Sequence, residues 1–205
     1  MLISIPAWNS QGVIAPIDPI DPTSILRSPY EVSLPEVVRR FATSLARIAI
    51  LQGFLEYRAA LQSAGLNQGF QWLNGSFMEN KEAMLGIDPG DIDVATYFYL
   101  PAGESQTDVF TRDALVFGTD AVARKKRYKV DAYLIPLEAP TEIPVEDLVW
   151  NSHYWSGLFG HSRRNFIWKG FLQVDLSSGE DAAATALLSI LAANLSPKPA
   201  GGATP

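Results

Sequence analysis

Cysteine is absent from the 205 residues and histidine occurs only twice. The first absence excludes disulfides, thiol nucleophiles and cysteine-ligated zinc, and it is compatible with a reducing compartment. The second makes a histidine-rich metal centre a poor expectation. Basic residues are outnumbered by acidic ones, leaving a net charge of -6. A broad cationic face for duplex nucleic acid is therefore not expected, although local basic clusters can still hold phosphates. No stretch approaches the roughly 18 consecutive apolar residues that span a bilayer. The opening MLISIPAWNS also lacks the basic and apolar regions of a secretory signal. The expectation is a cytoplasmic protein with no membrane role. Asn74-Gly75-Ser76 matches a glycosylation sequon, but without a secretory signal that match is read as accidental.

What the chain does have is apolar and aromatic content, 47% and 11% respectively. That is enough for one sizeable core, so a single domain with extensions is expected. Residues 1–34 are rich in proline, including IAPIDPIDP, and read as an extended arm on the domain or a partly disordered one. Asp18 and Asp21 there are taken as turn residues. A single domain is expected over 35–195 and a disordered tail, SPKPAGGATP, over 196–205.

Within the domain, apolar residues at helical spacing from Leu34 to Ala64 predict one long amphipathic helix, with Pro35 in its first turn. GFQWL reads as a strand running into a turn. SFMENKEAML follows as a short helix or loop, then GIDPG as a turn and DIDVATYFYL as a strand. TDVFTRDALVFGTDAVARKKR predicts a helix, with Thr107 as its cap and its basic run closing the C-terminal end. YKVDAYLIP alternates as a strand. IPVEDLVWNSHYWSGLFG predicts a helix, HSRRN a basic loop, and FIWKGFLQVDL a strand. The last helix is expected over EDAAATALLSILAANL, capped by Ser177 or Ser178. Strands interleaved with helices indicate an α+β or α/β domain.

Three acids stand out. Asp91 and Asp93 are one residue apart in PGDIDV, and strand alternation points both to one face, where like charges repel by roughly 1–4 kcal/mol. Water, a basic partner or a metal ion must offset that cost. Asp131 recurs in the apolar run YKVDAYLI, where sheet burial disfavours an acid. Together the three suit Mg²⁺ or Mn²⁺, hard cations that take oxygen ligands. The competing readings are a turn aspartate and solvent-facing strand acids. Asn74-Gly75-Ser76 forms a glycine turn that lets backbone and hydroxyl groups approach phosphate, though it is no P-loop. Arg163, Arg164 and Lys169 are candidates for phosphate contact, against the ordinary reading that basic loop residues face solvent. Glu79 and Glu82 are expected to be solvated, His153 and His161 to be surface or core histidines, and Trp72, Trp150, Trp155 and Trp168 to be core. One of these aromatics could instead stack on a base.

A glycine-serine turn, a D-h-D strand and then an h-D-h strand, in that order over about residues 66–136, resembles the nucleotidyltransferase fold of the DNA polymerase beta-like superfamily. GFQWLNGSF, PGDIDV, KVDAYLI and RRNFIWKGF also resemble a bacterial group of minimal nucleotidyltransferase-like proteins. The gap between Ser76 and Asp91 is longer than the common family spacing, which implies an added turn at GIDPG. The resemblance implies that Asp91 and Asp93 bind a metal gripping an NTP. It implies that Asp131 helps to hold a second metal or acts as base, and that Gly75 and Ser76 position the terminal phosphates. The implied reaction transfers a nucleoside monophosphate to a hydroxyl of a protein, nucleic acid or small molecule and releases pyrophosphate. The alternative is a non-catalytic nucleotide- or protein-binding module that partners a toxin or defence effector.

Overall fold

A computed structural model describes residues 4–137 and 145–195. In chain order it contains β1 (Tyr30–Glu31), α1 (Leu34–Phe41), α2 (Leu45–Ser63), β2 (Gly69–Asn74), α3 (Lys81–Leu85) and β3 (Ile92–Phe98). There follow α4 (Gln106–Phe110), α5 (Ala114–Phe117), α6 (Ala121–Tyr128), β4 (Val130–Pro136), α7 (Val145–Phe159), β5 (Leu172–Asp175) and α8 (Asp181–Leu195). The fold is α+β, built on a mixed five-stranded sheet of order β1-β5-β2-β3-β4. β2 runs antiparallel to both its neighbours, while β3 and β4 are parallel. The tail expected at 196–205 lies outside the described residues, as does the Ile143-Pro144 start of the helix that becomes α7.

Side-chain alternation divides the sheet into two unlike faces. Leu73, Val94, Phe98 and Val130 join Phe41, Phe54, Leu61 and Leu188 in the main core, beneath α1, α2 and α8. On the opposite face Trp72, Ala95, Tyr97 and Ile135 pack with Trp155 and Phe159 of α7 and with Phe171. This second face carries the acids at its end. Trp72 and Trp155 are core as expected, whereas Trp150 and Trp168 are about 60% exposed. The proline-rich arm lies along the domain and supplies Ile5, Ile14, Tyr30 and Val32 to the main core.

The long helix expected from Leu34 to Ala64 is two helices. Ser44 adopts an extended conformation and its side chain accepts from the Arg47 N–H, so it starts α2 rather than continuing α1. A side chain that competes with the backbone for hydrogen bonds favours a cap over a helix interior. The expected 107–127 helix is divided in the same way into α4, α5 and α6, capped by Ser105, Asp113 and Asp120 rather than by Thr107. The last strand is shorter than expected, because Phe166 takes a left-handed φ of 56° and the residues before Leu172 form a loop. Before α8, a short 3-10 turn spans Ser178–Glu180, and Glu180 Oε2 accepts the Leu34 N–H at 2.6 Å.

Two fully buried arginines of α2 tie the layers together. Arg58 forks onto Asp181 with Nε at 2.8 Å and Nη2 at 2.7 Å, and Nη1 donates to Gln71 Oε1 at 2.7 Å. It also donates to the Asp175 and Ser177 carbonyls, joining α2, β2, β5 and α8 through one guanidinium. Buried charge of this kind is tolerated only when every donor is used. Removing the cation leaves Asp181 and Gln71 without it, so Arg58→Met is expected to lower unfolding free energy by about 3–5 kcal/mol. Urea denaturation checks this, and a loss below about 1 kcal/mol would show that the network is dispensable.

Candidate metal and phosphate site

The register of three strands brings the site together. Asn74 of β2 pairs with Asp93 of β3, and Asp93 with Asp131 of β4, so the three side chains share one level and one face of the sheet. Asp91 precedes β3 by one residue and, by alternation, joins the same side. One carboxylate oxygen from each of Asp91, Asp93 and Asp131 lies within 4.8 Å of the others, a cluster able to hold a metal ion. All three are half-buried at the floor of an open pocket of about 240 Å³, lined also by Asn74, Gly75 and Ser76.

Gly75 is required by its conformation and its neighbour. Its φ of 86° and ψ of -171° fall in a region essentially reserved for glycine. An added Cβ would stand 3.0 Å from the Asp93 carboxyl. The turn continues into a 3-10 turn, Ser76–Met78, and then α3, which absorbs the long Ser76–Asp91 spacing. Arg47 braces this segment from α2. Its Nη1 donates to Phe77 O at 2.7 Å, its Nη2 to Glu79 O at 2.6 Å, and its guanidinium pairs with Glu82. Glu82 is therefore an anchor rather than a solvated acid. Glu79 likewise accepts from Lys169 Nζ at 2.8 Å.

The basic candidates divide by role. Lys169 is buried, and its ammonium also reaches the Gly75 carbonyl at 3.2 Å, so it holds the turn from within the pocket wall. Arg163 is exposed, with Nη2 3.8 Å from Asp93 Oδ2, and Arg164 lines the same mouth. His161 lines the pocket too, its Nδ1 3.0 Å from the Gly157 carbonyl. His153 stands outside this pocket.

Sequence reasoning missed two members. Lys125, in the basic run at the end of α6, forms an ion pair with Asp91 and stands 3.8 Å from Asp131. The Asp91 carboxylate beside it holds its ammonium above the usual lysine range. Asn74 is buried, its Nδ2 donating to Phe159 O at 3.1 Å while its Oδ1 meets no donor. The order of residues carries no signal for Lys125, whereas Asn74 sat beside Gly75 in the motif and was passed over.

Burial is the largest cause pushing the Asp93 carboxyl up from 3.8 to about 6, followed by Asp91 and Asp131, with Arg163 and Lys169 opposing. Folded Asp93 thus holds its proton through a window in which an unfolded aspartate has lost it. Stability in EDTA is expected to fall as pH rises from about 4 to 6, by about 2–3 kcal/mol. Asp93→Asn should remove that decline and melt higher than wild type at pH 8, and a lower melting point there would contradict the assignment. Gly75→Ala should cost about 1–3 kcal/mol in urea unfolding. Gly86, also at positive φ but with nothing within 4 Å of an added Cβ, provides the control.

Among the described residues, no helix is long and apolar enough to cross a membrane. No curated protein and no solved structure matches the chain. One family model does match, over residues 6–175, which includes most of the arm, the glycine turn, all three aspartates and β5. The chain therefore belongs to DUF6932, a family of unknown function.

Proposed function

We propose that this protein is a metal-dependent nucleotidyltransferase of the polymerase beta-like type, moving a nucleoside monophosphate from an NTP to a hydroxyl acceptor. The observation that carries the reading is an acidic floor under a basic rim. Asp91, Asp93 and Asp131 converge within 4.8 Å, and Lys125, Arg163 and Arg164 line the same pocket above them on a chain of net charge -6. A divalent cation and a polyphosphate together complement both layers, where either alone would leave one unmatched.

The donors fit Mg²⁺ or Mn²⁺. They are oxygen atoms on adjacent strand ends, and Asn74, which lines the same pocket, has a buried Oδ1 without a donor. Such an ion supplies charge neutralisation and polarisation of phosphoryl oxygens when bound. Gly75, without a side chain, and the Ser76 hydroxyl receive the terminal phosphates, with Arg163 and Arg164 reaching them from the mouth. Lys169 and Arg47 keep the turn in place. Base and acceptor extend from the open side of this pocket. Asp131 takes the acceptor proton, the acceptor oxygen bonds to the α-phosphorus, the bond from the α-phosphorus to the bridging oxygen breaks, and pyrophosphate leaves.

NTP labelled at the α-phosphate, incubated with the protein, Mg²⁺ or Mn²⁺ and a lysate of candidate acceptors, should yield labelled product and free pyrophosphate. Asp93→Ala and Asp131→Ala should each lower transfer by at least about a hundredfold. Unchanged transfer in either variant overturns the mechanism. Calorimetric NTP binding without pyrophosphate release would instead identify a binding module that does not turn over.

A further inference from the structure

We propose that Lys125 is a built-in counter-ion of the carboxylate cluster, so that a divalent cation enters only by displacing its ammonium from Asp91. This deepens the metal-site reading above and rests on it. Lys125 is the one residue of its basic run aimed at the acids. Successive helical side chains point about 100° apart. Lys125 accordingly reaches Asp91 and Asp131, while Arg127 turns to Glu56 of α2 and Lys126 is exposed.

The backbone fixes this aim. α6 closes on Lys129 at a left-handed φ of 55°, and its carbonyl accepts the Ile92 N–H at 3.0 Å, which leads the chain straight into β4. On the other side, Gly53 of α2 lies so close that an added Cβ would stand 2.1 Å from the Tyr128 carbonyl oxygen. α6 is thus clamped, and Lys125 and Asp131 face each other across a tight turn. A second observation points to a ligand beyond the ammonium. Asn74 is 97% buried, lines the same pocket, and leaves Oδ1 without a donor. Lys125 satisfies charge at Asp91 but leaves this acceptor unmet. An ion carrying its own water molecules can serve both. The side chain of Lys125 is half-exposed, so leaving the acids returns its ammonium to solvent at the pocket mouth. There it adds to the positive rim that a polyphosphate meets.

The test compares wild type, Lys125→Gln, Lys126→Gln and Asp93→Asn by calorimetric titration with MnCl₂ alone and by melting in EDTA. Lys126→Gln makes the same change in net charge away from the acids. Lys125→Gln is expected to melt lower than Lys126→Gln in EDTA and to bind Mn²⁺ about tenfold tighter than wild type, the repulsive charge having gone. Lys126→Gln should stay within about twofold of wild type, as a screened charge does. Wild-type binding that is unchanged or weakened in Lys125→Gln overturns this inference and leaves the metal site standing. Binding that persists undiminished in Asp93→Asn overturns the placement of the metal, and no Mn²⁺ binding by any of the four proteins overturns both.

Discussion

Three carboxylates held within 4.8 Å of one another are the constraint around which the molecule is arranged. Burial, and then the charges of Asp91 and Asp131, oppose ionisation of Asp93, whose carboxyl is pushed up to about 6. A sheet can impose such proximity because strand register is set by a hydrophobic face elsewhere. Val94, Phe98 and Val130 commit β3 and β4 to the main core, and a slip by one residue would turn all of them outward. The energy that holds the acids together is thus contributed by apolar burial on the opposite face.

The surrounding polar groups fall into a consistent pattern. Arg47 and Lys169 do not touch the acids, yet both are buried and both spend their donors on the segment after Gly75. They fix the turn that must lie against Asp93. Arg58 does the equivalent for the sheet and α8. Lys125 and Arg163 approach the carboxylates from exposed positions, where a charge can be moved at little cost in packing. Rigid cations therefore hold the frame of the pocket and exposed ones meet whatever enters it.

Much of the secondary structure was legible because hydrophobic period and punctuation agree. β2, β3, β4, α7 and α8 follow from alternation or helical spacing bounded by glycine and proline. The divided helices have one cause. Ser44, Ser105, Asp113 and Asp120 each divert a side-chain oxygen to a backbone N–H, cutting apolar-patterned stretches into shorter helices. Glu79 and Glu82 were misjudged as solvated for a different reason. Their partners are 90 and 35 residues away, beyond the reach of any local pattern.

The sequence by itself determined the chemistry available: acids without cysteine, a glycine-serine turn, and the alternation that sets Asp91 and Asp93 on one side and leaves Asp131 in an apolar strand. It could not determine that these acids meet, because the pairing of β3 with β4 is a parallel one whose connection passes through α4, α5 and α6. Only the tertiary structure decided that Asn74, Asp93 and Asp131 stand level, that Lys169 turns inward to Gly75, and that Lys125 lies over the cluster. Each of these depends on distances between segments remote in the chain, set by packing the two faces of one sheet.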